Sequence, residues 1–151
     1  MSFILKLKTE KNFIENKNIM KTITKWKNDH VFDSHLGNHT ITLDGDKESG
    51  FNPKALLLTG LAACSGIDVV DILEKMRLKF SDFVIEAEAD QTEEHPRVFK
   101  DILITYRLNT ALENEDKVKK AIDLSLEKYC GVSAMLGKNS KIVYQLEIKP
   151  S

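Results

Sequence analysis

Residues 52–77 read NPKALLLTGLAACSGIDVVDILEKMR, and the organisation of the whole chain follows from them. Asn52 is a helix-capping residue type, and Pro53 suits the first helical position, where its missing N–H costs nothing. The spacing predicts a helix from there to about Arg77, roughly 25 residues and about 37 Å at the usual rise. Its first half, ALLLTGLAAC, is apolar on every side, whereas a surface helix shows only a stripe. Its second half turns amphipathic, with Asp68, Asp71, Glu74 and Lys75 among Val69, Val70, Ile72 and Leu73. A helix so long and so apolar at one end is hard to cover within a small domain. A second subunit is therefore expected to complete its burial.

On both sides of this helix the chain reads as strands. Upstream, Ile19, Ile23 and Trp26 lie among Thr22, Thr24, Lys21, Lys25 and Lys27, the composition of a half-exposed strand. Val31 to Leu36 and His39 to Leu43 flank Gly37-Asn38, a two-residue hairpin signal, and DGDKESG (residues 44–50) is a polar loop. Downstream, Phe83, Ile85, Ala87 and Ala89 alternate with Val84, Glu86, Glu88 and Asp90. After the turn Glu93-Glu94-His95-Pro96, the stretch Val98 to Leu108 places Ile102, Ile104, Tyr106 and Leu108 on one face.

A second helix is expected to begin near Asn114, with Glu115 and Asp116 in its favourable first turn. Its stripe is Val118, Ala121, Ile122, Ser125, Leu126, Tyr129 and Cys130, and Gly131 can bend it before Val132 to Leu136 adds a turn. Ile142, Tyr144, Leu146 and Ile148 share a face of the last strand. The order is β-β-β-α-β-β-α-β, an α+β fold whose sheet is expected to be largely antiparallel. Residues 1–17 read as an N-terminal extension, an appended strand or a loose arm, ahead of a single domain over residues 18–151.

The 151 residues suit one domain, and a net charge of −1 mixes both signs along the chain. Neither a basic patch nor a polybasic run argues for nucleic acid or a membrane surface. The start MSFILKLKTEK is broken by Lys6 and Lys8 and does not read as a signal peptide. The apolar run from Ala55 to Ala63 is too short to span a bilayer. Two well-separated cysteines, Cys64 and Cys130, suggest a reducing compartment and a cytoplasmic location.

Both cysteines fall on helices that must face the sheet or each other, so their thiols can meet. The chemistry this would serve is thiolate attack on a peroxide oxygen or a disulfide, with the resulting sulfenic acid resolved by the other thiol. The bland reading is that each is a small buried hydrophobe. Asp68 lies one turn beyond Cys64 on the same face, and a carboxylate there disfavours a thiolate. The histidines do not suggest a metal: Leu36 pairs with His39 across the hairpin, so His35 points to the opposite face, and His30 is too far along. His95 precedes Pro96 in a turn, with no link to Cys64. DGDKESG resembles the start of a calcium loop but lacks the acidic twelfth residue. No metal and no cofactor is expected.

The segment Gly50-Phe51-Asn52-Pro53-Lys54-Ala55-Leu56-Leu57, leading into Leu61-Ala62-Ala63-Cys64, resembles the OsmC/Ohr family. So do Ile67-Asp68-Val69-Val70, Lys128-Tyr129-Cys130-Gly131-Val132-Ser133 and the turn His95-Pro96-Arg97-Val98-Phe99. The likeness covers about residues 20 to 149, and the pairing of ACSGIDVV with KYCGVS is most similar to the YhfA-type subgroup. It implies an intertwined homodimer in which antiparallel sheets wrap around long central helices. It also implies a dithiol site at the dimer interface that reduces organic hydroperoxides. Cys64 would be the nucleophile and Cys130 the resolving thiol, with recycling by an external dithiol, either a small thiol or a lipoylated partner.

Two positions depart from the family pattern. Peroxidatic members share an Arg near the N-terminal strands and a Glu just after Asn-Pro. Here no Arg precedes Arg77, and Lys54 follows Pro53. Lys21, Lys25 and Lys54 are the candidate replacement cations, without arginine's bidentate geometry. Lys54 lies about 15 Å along the helix from Cys64 and would act across the dimer. Two other readings remain beside the redox one: a non-enzymatic small-molecule binding module on the same dimeric fold with inert buried cysteines, and a purely structural dimer.

Overall fold

Gly37-Asn38 closes the hairpin expected of it, with Gly37 at φ +56°, a conformation that costs glycine little. The computed structural model describes residues 19–150. The expected extension over residues 1–17 lies outside the described residues. The chain divides into two compact units between Pro53 and Lys54.

In the first unit, β1 (Ile23–Asn28), β2 (Val31–Leu36) and β3 (His39–Asp44) form an antiparallel sheet in that order. Trp26 pairs with Phe32, Phe32 with Leu43, and Leu36 with His39. That register puts Trp26, Phe32, Leu36, Ile41 and Leu43 on one face, and Lys25, Asp33, His35 and Thr42 on the other. On the polar face Asp33 accepts from Thr42 Oγ1 at 2.8 Å and pairs with Lys27 Nζ at 3.2 Å. On the apolar face Trp26 is 66% exposed, and Phe32, Leu36 and Ile41 are exposed as well.

The polar loop after β3 closes on its own backbone. Buried Asp44 accepts from the N–H groups of Asp46 at 2.8 Å, Ser49 at 2.9 Å and Glu48 at 3.2 Å. Gly50 then runs so close to β3 that a Cβ would stand 2.4 Å from the Thr42 carbonyl oxygen. The Asp46 N–H and its neighbours hold the Asp44 carboxyl below the ordinary carboxylate range. A lowered folded value stabilises the loop above the unfolded value and loses that effect as pH falls through the folded one. Hydrogen exchange is therefore expected to accelerate at Asp46, Glu48 and Ser49 below about pH 4, before the hairpin amides respond.

In the second unit, α1 (Pro53–Lys75) precedes β4 (Ser81–Gln91) and β5 (Phe99–Asn109). A 3₁₀ turn (Leu112–Asn114), α2 (Glu115–Leu124), a π turn (Ser125–Tyr129) and α3 (Gly131–Leu136) lead to β6 (Lys141–Lys149). The sheet order is β4-β5-β6, and the element order is the expected α+β one. β4 and β5 are antiparallel, with Ile85 opposite Tyr106 and Ala87 opposite Ile104. The pairings are largely antiparallel, as expected, with one exception: β6 runs parallel to β5, pairing Ile104 with Tyr144. A hairpin reverses the chain, whereas the helical return from β5 restores its direction before β6 begins.

The core is one face of β5. Ile102, Ile104, Tyr106 and Leu108 are buried beneath Leu61, Val69 and Leu73 of α1 and Val118, Ala121 and Ile122 of α2. α1 passes close to the sheet at Gly66, where a Cβ would stand 2.6 Å from Ile85 Cδ1. On the outer face Arg107 pairs with Glu86 and, at 2.7 Å, with Glu147. These exposed pairs add little stability.

α1 buries a single stripe: Leu61, Ser65, Gly66, Val69 and Leu73. Leu57 and Ile67 remain exposed, and only 28% of its most apolar window is covered within the chain. Taken whole, the helix is long and apolar enough (mean hydropathy 1.8) to cross a bilayer, although the run from Ala55 to Ala63 alone is too short. Core helices of globular domains pass the same test, and here the stripe is packed on the chain's own sheet.

Candidate functional site

The second cysteine is placed by one widened helical turn. After α2 the chain bonds five residues back, Cys130 N–H to the Ser125 carbonyl at 2.8 Å. A regular helix would put Tyr129 on the face of Ser125. The π turn puts buried Cys130 there instead and leaves Tyr129 53% exposed, with the Lys128 ammonium 5.4 Å from its ring centroid. Tyr129 therefore leaves the expected core stripe.

Cys130 is also not internal to a helix, as the spacing suggested. Its extended backbone (ψ 105°) breaks the helix, and its Sγ caps α3 by accepting from Ser133 N–H at 3.3 Å. Gly131 follows the break where a bend was expected. The break frees carbonyls, and Ser133 Oγ lies within hydrogen-bond distance of two of them, Leu126 at 2.8 Å and Cys130 at 2.9 Å, with one proton to donate.

Cys64, half-buried on α1, meets Cys130 side chain to side chain. Burial pushes the Cys130 thiol up, the adjacent Cys64 pushes it further, and the Ser133 N–H opposes both. Cys130 is thus held as a thiol at neutral pH, while Cys64 keeps partial access to solvent.

Behind the pair runs a chain of hydroxyls. Ser125 Oγ donates to Asp68 Oδ2 at 3.0 Å and lies 3.3 Å from both the carbonyl and Oγ of Ser65. Ser65 Oγ in turn shares a short hydrogen bond with Tyr106 OH. The Tyr106 ring stacks on Phe83 at 6.3 Å and meets Tyr144 edge-on at 6.0 Å. Burial pushes the Tyr106 hydroxyl up to about 12 against the Ser65 bond, and the charges of Cys130 and Asp68 add to the rise. Asp68 therefore has a partner on the opposing helix. Sequence reasoning missed Ser65 and Tyr106 as site residues; serines on otherwise apolar stripes, which need buried partners, were the available signal.

The remaining candidates lie elsewhere. His30 pairs with Asp46 at 3.0 Å and His35 with Thr40 at 2.9 Å, while His95 sits in the β4–β5 turn. Among the described residues no group of three His, Cys, Asp or Glu side chains gathers to hold a metal. Lys54 Nζ donates to Gln91 Oε1 at 2.5 Å, at the far end of α1 from Asp68, and Lys21 and Lys25 belong to the first unit. Alongside α1, Gly66, Ile67, Val70, Asp71, Phe83 and Ile85 border an open, mostly apolar hollow of about 400 Å³.

The profile of the OsmC-like protein family matches residues 45–145. Protein YhfA of Escherichia coli (strain K12) is 32% identical over 131 residues, covering 85% of this chain and 98% of that protein. A hypothetical protein from Aquifex aeolicus VF5 superposes with a TM-score of 0.75 at 31% identity, over 87% of this chain and 98% of its own. The organic hydroperoxide resistance protein OhrB of Bacillus subtilis shares the fold with a TM-score of 0.58 at 21% identity, over 85% of this chain and 96% of its own.

Proposed function

We propose that this chain, which belongs to the OsmC-like protein family, is a thiol redox protein that reduces organic hydroperoxides. The observation that carries the reading is the contact between a half-buried Cys64 and a buried Cys130 thiol. The hydroperoxide class is supported by the name of the Bacillus subtilis neighbour.

Cys64, as thiolate, attacks the terminal oxygen of the hydroperoxide. The O–O bond breaks, the alkoxide takes a proton and leaves as the alcohol, and Cys64 becomes a sulfenic acid. The Cys130 sulfur then attacks the Cys64 sulfur; the S–O bond breaks, and hydroxide leaves as water with the thiol proton. The disulfide is returned to two thiols by an external dithiol, which is itself oxidised. A reducing compartment such as the cytoplasm keeps the pair ready. A homodimer fits the same reading, because the exposed Leu57 and Ile67 of α1 and the exposed Trp26 and Leu36 of the first sheet are apolar surface that a second copy would cover.

The test is a thiol count. The purified protein is treated with one equivalent of an organic hydroperoxide, and free thiols are followed by mass spectrometry. Rapid loss of both thiols with a Cys64–Cys130 disulfide is the expected result; two unreacted thiols after long exposure would sink the proposal. One observation favours a second reading, apolar ligand binding with inert cysteines: the hollow between α1 and β4. Unreacted thiols together with a melting temperature raised by apolar ligands would favour it.

A further inference from the structure

We infer that Ser125 is the positioning residue for disulfide closure, tying the turn that carries Cys130 to the helix that carries Cys64. The inference rests on the dithiol reading above and concerns its second step. Ser125 acts in two directions. Its carbonyl accepts the Cys130 N–H at 2.8 Å, and its Oγ reaches across to Asp68 Oδ2 at 3.0 Å and Ser65 at 3.3 Å. Ser65 adjoins Cys64 in the chain and is backed by the Tyr106 hydroxyl. A short bonded path, Cys64 to Ser65 to Ser125 to Cys130, therefore sets one thiol against the other. Ser65, Ser125 and Tyr106 are fully buried, so water does not replace a missing member.

The π turn makes this tie consequential. Bonding to the fifth residue is rarer than bonding to the fourth, and such turns persist where tertiary contacts hold them. If residues 125–129 relaxed to a regular helical turn, Cys130 would rotate by about 100° and Tyr129 would take its place. Cys64 would lose its partner without any change at Cys64 itself. The Ser125 hydroxyl, hydrogen-bonded to a carboxylate, opposes that relaxation. Its effect falls on disulfide closure and not on the attack on peroxide.

Three variants of the full chain test this: Ser125→Ala, Asp68→Ala and Asp68→Asn. Rapid quenching with a cyclic dione separates the Cys64 sulfenic acid from the disulfide, and glutathione buffers measure the equilibrium of the pair. Ser125→Ala is expected to oxidise at Cys64 at the parent rate but to close the disulfide about tenfold more slowly, the worth of a buried hydrogen bond. Its disulfide should also be about tenfold less favoured, about 30 mV for a two-electron couple. Asp68→Ala should behave alike, whereas Asp68→Asn keeps an acceptor oxygen and should stay near the parent.

Parent closure rate and parent potential in Ser125→Ala would overturn the inference. So would Asp68→Asn closing as slowly as Asp68→Ala, since charge and not position would then govern. If Ser125→Ala does not fold, the two Asp68 variants carry the comparison alone. If the parent itself ignores hydroperoxide, the peroxide reading fails, and the shift in potential still decides the role of Ser125.

Discussion

Replacing Cys64 by serine is expected to abolish hydroperoxide consumption, while replacing Cys130 by serine is expected to allow one oxidation and then stall. The asymmetry follows from burial. Cys130 is 3% exposed, and its thiol is pushed up by that burial, so it is poorly placed to attack a peroxide when Cys64 is gone. A serine hydroxyl at position 64 is a far weaker nucleophile at neutral pH without a base beside it. In Cys130→Ser the first step is intact, so the Cys64 sulfenic acid should accumulate and be trapped by a dione. Further turnover should then depend on attack by added thiol. Consumption by Cys64→Ser at the parent rate would remove Cys64 from the mechanism. Rapid steady turnover in Cys130→Ser with limiting added thiol would remove only the resolving role of Cys130.

The largest effect on stability is expected at Tyr106. It is wholly buried, between Phe83 and Tyr144 and over the α1 stripe, so Tyr106→Ala should cost about 3–5 kcal/mol by cavity formation. Against a usual total of about 5–15 kcal/mol, that is a large share. Tyr106→Phe keeps the ring and removes the hydroxyl that meets Ser65, and should cost about 1–3 kcal/mol for the unsatisfied partner. Urea denaturation of both variants separates packing from the hydroxyl chain; equal losses would mean that the ring contributes little.

Tyr106 also predicts an alkaline limb. A folded value raised to about 12 means stability that is full below the ordinary value of about 10 and lost as pH rises through about 12. Tyr106→Phe should flatten that loss. Tyr144, raised to about 12 by burial and then by its bond to Asp123, would keep part of it. An unchanged alkaline slope in Tyr106→Phe would show that the folded state does not hold this proton.

Much of the fold was legible in the sequence because its signals are short-range. Gly37-Asn38 marked the hairpin, Asn52-Pro53 the start of α1, and alternation at Ile102, Ile104, Tyr106 and Leu108 the buried face of β5. Each needs only the residues of one element, with period two or 3.6. Both cysteines could be assigned to elements facing the core on the same grounds. Their meeting was one option from periodicity, and the family resemblance gave it a purpose.

What only the tertiary structure decided involves residues far apart in the chain or a balance within one turn. The direction of β6 depends on the path of the chain through four helical segments, and its own residues alternate alike in a parallel or an antiparallel sheet. The π turn differs from a regular turn by one residue, and contacts outside the turn decide between them. That choice buries Cys130 and exposes Tyr129. The hydroxyl chain joins Asp68, Ser125, Ser65 and Tyr106 across separations of 57, 60 and 41 residues. Serine has little periodic signature, so its role becomes visible only when burial removes water and the hydroxyl must find a partner.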